Sequence, residues 1–260
     1  NELAVSNVVG SNIFNLMFVI GVCSILTPIM VQKATVVRDI PLSLGCALFL
    51  LVLGISGLGD KTGMTLGHAD GVIFLIVFAG YIFTMVRSAM KARAAGQKVE
   101  IEGVEECDNM KELSYGKSIL FLIVGAAAIA FGGDLTVDTA SRIAIELGMS
   151  QTLVGLTIVS IGTSLPELVT SVVAARKNEV DMAVGNAVGS NIFNILMVLG
   201  ISSAISPVAL IWENIIDIVL LMVFSVMVWI FAGTRKKIER KEGIIMVVVY
   251  LVYCAYIIAR

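Results

Sequence analysis

Apolar residues run for roughly 20 positions at a time along this chain, broken by short clusters of charge, at about 3–28, 36–57, 69–89, 118–132, 153–175, 182–205, 211–232 and 243–259. A run of that length is what ~30 Å of hydrocarbon requires of an α-helix. The strict alternation of a membrane barrel strand is missing. The pattern therefore predicts an all-α, polytopic transmembrane helix bundle with about eight spans. The fourth run is short and leads into DLTVDTASRIAIELG. That amphipathic stretch either continues the span at a tilt or lies along the interface.

Composition agrees: 58% of the 260 residues are hydrophobic, 15% are charged, and mean hydropathy is +0.96, against ~25% charge in soluble domains. Cys23, Cys46, Cys107 and Cys254 are scattered, with no C-x-x-C spacing, and suggest neither a disulfide framework nor a zinc site. Nothing points to a nucleic-acid partner. If the first span runs inward and the spans alternate, 15 of the 18 basic residues collect on one side, leaving Lys61, Arg142 and Arg260 opposite. The positive-inside rule makes the crowded side cytoplasmic. The hydrophilic segment 90–117 then becomes a cytoplasmic loop between two bundles, a solvated linker unless its acids sense ions. The chain opens on Asn1 and reads as a fragment.

Residues 4–31 align with 183–210 at a constant offset of 179, matching at 14 of 28 positions without a gap; NVVGSNIFN at 7–15 returns as NAVGSNIFN at 186–194. The copies are spans one and six, an odd distance apart, so they cross the bilayer in opposite senses. Inverted repeats of this kind mark secondary transporters with a midplane site. In each copy a polar stripe follows at i, i+4, i+8: Asn7, Ser11, Asn15 and Asn186, Ser190, Asn194. Asn12 and Asn191 lie about 100° round the helix. For Asn7, Asn12, Asn186 and Asn191 the simplest reading is hydrogen-bonding between helices. For Ser11, Asn15, Ser190 and Asn194 the neighbouring segment favours cation ligation.

That segment reads GLTIVSIGTSLPELVTS, 155–171, with Glu167 the only charge between Leu147 and Arg176. An ionisable group inside a span is functional by default, since burying it costs ~2.5–3.5 kcal/mol even on lenient scales. Thr163 and Ser164, four and three residues earlier, share its face. Pro166 has no N–H for the Gly162 carbonyl and disfavours regular helix before it. Ser160 adds an oxygen one turn back. Carboxylate, hydroxyl, amide and carbonyl oxygens together suit calcium or sodium.

These motifs, GTSLPE at 162–167 and GNAVGSNIFN at 185–194 with the partial second copy at 7–15, resemble the cation/calcium exchangers, and within them the sodium/calcium exchanger family of prokaryotic type. The resemblance implies a fold of two inverted five-helix repeats that exchanges sodium for calcium by alternating access, with potassium dependence open. It implies bound Ca2+ and Na+ as transported ions and no cofactor. Its metal ligands would be Glu167, Thr163, Ser164, Ser160, Ser190, Asn194, Ser11 and Asn15. Residues 1–89 would form a first repeat lacking its first two helices, 90–117 the loop, and 118–260 the second repeat. Many family members carry aspartate where Asn194 stands, which leaves stoichiometry and coupling ion open. The counterpart of Glu167 would precede Asn1, so this stretch is not expected to transport unaided. A multi-pass protein of the prokaryotic plasma membrane follows, expected as a monomer.

Three alternatives remain at this level. A calcium/proton or other divalent-cation exchanger needs only a different driving ion. A cation channel suits inverted repeats less well. An intramembrane hydrolase with Ser164 as nucleophile lacks a base, since the only histidine, His68, sits far away in sequence at a predicted interface.

Overall fold

A computed structural model describes residues 2–56, 64–94, 114–149, 154, 158, 160–177 and 180–260. The linker 90–117 lies mostly outside these residues, as do Lys61 and Cys107. The first span is α1 (Glu2–Ile13), a π-helical segment (Phe14–Val19) and α2 (Ile20–Leu26). A second π-helical segment (Thr35–Asp39) leads into α3 (Ile40–Ser56), followed by α4 (His68–Ala94) and α5 (Tyr115–Glu146). The second half runs through α6 (Ser160–Thr163), α7 (Leu165–Arg176), α8 (Val180–Phe193), a third π-helical segment (Asn194–Leu199) and α9 (Gly200–Ile205). It closes with α10 (Trp212–Arg235) and α11 (Arg240–Ala259).

Among the described residues seven helices are long and apolar enough to cross a membrane. The eighth expected span, 153–175, is not one continuous helix here: it is broken between α6 and α7. The ambiguity at 118–132 resolves into one 32-residue helix, α5, which absorbs the amphipathic stretch as far as Glu146. At 1.5 Å per residue α5 is about 48 Å long, well beyond a ~30 Å core.

Four two-residue strands tie the halves together. β1 (Ile29–Met30) pairs antiparallel with β4 (Lys237–Ile238), and β2 (Thr65–Leu66) with β3 (Val208–Ala209). The strand pairs extend alike, by Val31 N–H to the Lys236 carbonyl (2.9 Å) and Leu210 N–H to the Met64 carbonyl (2.8 Å). Each pair joins one repeat to the other, and their strands correspond by sequence offset, 29–30 with 208–209 at 179 and 65–66 with 237–238 at 172. The helix starts correspond in the same way. Asp70 Oδ2 accepts from Gly67 N–H (2.8 Å) at the head of α4, and Glu242 Oε2 from Glu239 N–H (2.7 Å) at the head of α11. Both satisfy an N–H that a helix start leaves unpaired.

Glycines set the closest crossings. A Cβ on Gly243 would lie 2.7 Å from the Gly21 carbonyl and collide with the Ser24 hydroxyl, binding α11 to α2. A Cβ on Gly71 would lie 2.6 Å from the Gly200 carbonyl and 2.7 Å from Ser203 Oγ, binding α4 to α9. Gly21 and Gly200 are repeat equivalents, and so are Ser24 and Ser203.

The span α1–α2 is the most enclosed and α5 the least. Val5, Val9, Ile13, Met17 and Ile20 pack with Val188, Ile192, Ile195 and Leu199 in one buried core. Exposed apolar side chains such as Ile76, Phe83, Leu122, Phe131 and Val252 cover the outside, the surface a lipid-solvated bundle presents. Asp217, inside α10, is buried and held by Arg260 through two hydrogen bonds of 3.2 and 3.0 Å. It belongs to the packing of α10 on the end of α11.

Candidate functional site at the crossing of the two repeats

Ser164 joins α6 to α7 with φ −102° and ψ 6°. Its N–H donates to the Ile161 carbonyl at 3.0 Å, three residues back, so the chain tightens before Pro166. The letters SLPE spell a capping box, yet the Ser164 side chain makes no capping hydrogen bond. The Glu167 carboxyl group, in the first turn of α7, sits where a helix N-terminus favours negative charge. α5 lies across the break: a Cβ on Gly162 would collide with Val137, and one on Gly133 would lie 3.9 Å from the Pro166 ring.

Hydroxyl-bearing side chains surround Glu167. Ser190, on α8, is its side-chain hydrogen-bond partner, while Glu167 Oε2 is buried with no partner. Ser11 spends its hydrogen on the carbonyls of its own helix, at Asn7 and at Val8 (3.3 Å). Thr163 Oγ1 stands 3.5 Å from Asn7 Oδ1, linking α6 to α1. Asn186 donates to Thr170 Oγ1 (3.0 Å) and Ser171 Oγ (3.1 Å), which fixes α8 against α7.

Where the repeats cross, four asparagines interlock. Asn12 Nδ2 donates to the Asn191 backbone carbonyl (3.2 Å), and Asn191 Nδ2 to the Asn12 backbone carbonyl (3.0 Å). Asn15 Nδ2 donates to Asn191 Oδ1 (3.2 Å) and Asn194 Nδ2 to Asn12 Oδ1 (3.0 Å). The 179-residue offset between Asn12 and Asn191 puts the pseudo-two-fold axis between them. Asn15 Oδ1 is left buried and without a partner.

Of the eight residues singled out from sequence, Asn15, Ser11 and Ser164 are buried, Glu167, Ser190 and Asn194 half-buried and Thr163 exposed. Ser160 opens α6, but its side chain lies outside the described set. Glu167 and Ser190 are joined directly, and Asn15 and Asn194 belong to one lattice. α7 packs against the Phe14–Val19 segment that carries Asn15. Among the described residues no three His, Cys, Asp or Glu side chains cluster as a metal site; one carboxylate stands among neutral oxygens. An unpartnered buried oxygen costs roughly 1–3 kcal/mol by mutational measures, and a cation is a partner that can offset that cost.

Two features had no sequence signal. The π-helical segments begin at Phe14 and Asn194, within the motif, and such turns occur often at functional sites. At Asn12 and Asn191 the sequence predicts hydrogen bonding between helices, which the structure shows; the direction of those bonds had no signal. His68 Nδ1 lies 2.9 Å from the Ala204 carbonyl, at the head of α4.

The description of the sodium/calcium exchanger protein family matches residues 1–87 and 117–259. The chain belongs to the sodium/calcium exchanger family. The Sodium/calcium exchanger MaX1 of Methanosarcina acetivorans is 28% identical over 275 residues, covering 96% of this chain and 79% of its own. An uncharacterized membrane protein of Methanocaldococcus jannaschii, MJ0091, is 32% identical over 253 residues, with 97% and 76% covered. Among solved structures, the sodium-calcium exchanger NCX_Mj soaked with 10 mM Na+ and zero Ca2+ superposes with a TM-score of 0.76 at 31% identity, over 98% of this chain and 77% of that one. Soaked with 10 mM Na+ and 10 mM Sr2+, it superposes at 0.77. As a family member this multi-pass membrane protein is a cation/calcium exchanger, a transporter and not an enzyme.

Proposed function

We propose that the protein exchanges Na+ for Ca2+ across a prokaryotic plasma membrane by alternating access, with both ions competing for the oxygens around Glu167. One observation carries this reading: two buried acceptor oxygens, Glu167 Oε2 and Asn15 Oδ1, lie unpartnered on helices of different repeats. The ligand set is Glu167, Thr163, Ser164, Ser160, Ser190 and Asn194 from the second repeat, with Ser11 and Asn15 from the first. Residues 1–89 and 118–260 form the two repeats, and 90–117 is a cytoplasmic linker.

Competition supplies the coupling. A carboxylate neutralised by bound cations crosses the low-dielectric midplane at far lower cost than a bare one. The neutral amides at Asn15 and Asn194 supply dipoles without adding charge, which suits singly charged ions as well as calcium. In the full-length protein, reconstituted into vesicles, Glu167→Gln abolishes sodium-dependent calcium-45 uptake; uptake near the wild-type rate overturns the assignment. Sodium, potassium and proton gradients imposed one at a time identify the driving ion. Uptake driven by the proton gradient alone would replace sodium in this reading.

A further inference from the structure

We infer that Asn12 and Asn191 are positioning residues: each orients the ion-ligating amide of the other repeat, so that neither repeat completes its own half of the site. This deepens the exchange reading above and rests on it.

The orientations follow from one another. A backbone carbonyl can only accept, so the side-chain atom of Asn12 facing the Asn191 carbonyl is its NH2 group, and the same holds for Asn191 facing the Asn12 carbonyl. With the nitrogens fixed, Oδ1 of each points the other way and can receive only a donor. Asn194 supplies that donor to Asn12, and Asn15 to Asn191. The amides of Asn15 and Asn194 are therefore turned with N–H toward the axis and oxygen away from it. The Asn15 oxygen so presented is buried and lacks any partner. An amide free to rotate would present its NH2 to a cation half the time; this one cannot.

The chain of constraint also explains asparagine at 15 and 194 in this protein. A carboxylate there has no hydrogen to give and would set two acceptors face to face. The burial of both positioning residues, 0% and 1% exposed, removes water as an alternative donor.

A double-mutant cycle in reconstituted full-length protein tests this. Asn12→Leu keeps the volume and removes the acceptor for the Asn194 amide. It raises the KM for sodium and for calcium about five- to tenfold, the loss expected for one buried hydrogen bond, with kcat within a factor of two. In an Asn194→Ala background there is no amide left to orient, so adding Asn12→Leu changes KM less than twofold. A fully multiplied effect in that background overturns the inference, as does an unchanged KM in Asn12→Leu alone. Where Asn12→Leu gives too little folded protein, Asn12→Ser, whose hydroxyl still accepts, carries the same cycle; there it restores at least part of the affinity, and failure to do so likewise overturns the proposal. Glu167→Gln run in parallel separates the two claims. Transport surviving Glu167→Gln sinks the site itself, whereas transport lost in Glu167→Gln with multiplicative Asn12 and Asn194 effects sinks only the orienting role.

Discussion

At Glu167 a single carboxylate does two different things with its two oxygens. One faces the Ser190 hydroxyl and the other is left bare. In the proposed site Ser190 has two roles, a brace for the acid and, through its lone pairs, a ligand. Ser190→Ala removes both roles and leaves the carboxylate with only its own backbone N–H as donor. Hydrogen bonds to charged groups contribute roughly 1.5–3 kcal/mol, and about 1.4 kcal/mol is tenfold in affinity. The expected result is a calcium KM at least tenfold higher in uptake assays, while Ser225→Ala, at a hydroxyl bonded only to the Leu221 carbonyl of its own helix, leaves KM unchanged. Equal KM values for the two variants would remove Ser190 from the site. Most of this residue set was legible in the sequence, because a lone acid beside a proline and three hydroxyls in an apolar run has few explanations as packing. What could not be read was direction. The residue types at 12 and 191 announce hydrogen bonding, but only folded geometry shows that their nitrogens are committed to backbone carbonyls.

The spans themselves followed from apolar run length, and the break before Pro166 from the missing N–H. The π-helical turns did not, since widening a helix by one residue per turn depends on what packs beside it. The repeat was likewise visible only through residue 31. Beyond it the offset falls from 179 to 172, as between Gly71 and Gly243, and the equivalent residues differ, Asp70 answering to Glu242. Folded together, the equivalences are plain, because both glycines make room for a carbonyl of the partner helix. Gly243→Ala forces the backbone of α11 away from Gly21, and overpacking of this kind costs about 1–3 kcal/mol. Its melting temperature in detergent should fall by several degrees. Gly125→Ala, where nothing lies within 4 Å, should hold or raise it, since alanine is the better helix former by ~1 kcal/mol. If both variants melt alike, the crossings are looser than drawn. The close approaches at Gly21 and Gly200 make these crossings fixed joints.

For the molecule as a whole, those joints and the strand pairs decide which parts can move. β1–β4 and β2–β3 tie one repeat to the other at separate places, and α2–α11 and α4–α9 are clasped at glycines. α5 is the least enclosed span, and it packs beside the break, with Val137 against Gly162 and Gly133 facing the Pro166 ring. On this arrangement displacement of α5 over the clasped remainder is the expected route by which access to the ions changes, and cross-links test it. With the four native cysteines replaced, a disulfide between Ile29→Cys and Ile238→Cys, which are paired in register, should leave calcium uptake within twofold of the reduced protein. A cross-link between α5 and α7, at Gly133→Cys and Val169→Cys or a neighbouring pair that forms readily, should arrest it. Arrest by the strand disulfide would mean that the two repeats rock as bodies instead. The reciprocal contacts of Asn12 and Asn191 carry one more consequence. A surface that becomes its own mate after half a revolution can be written once and used twice, so two separate peptides bearing GSNIFN, inserted head-up and head-down, already carry the whole asparagine lattice between them.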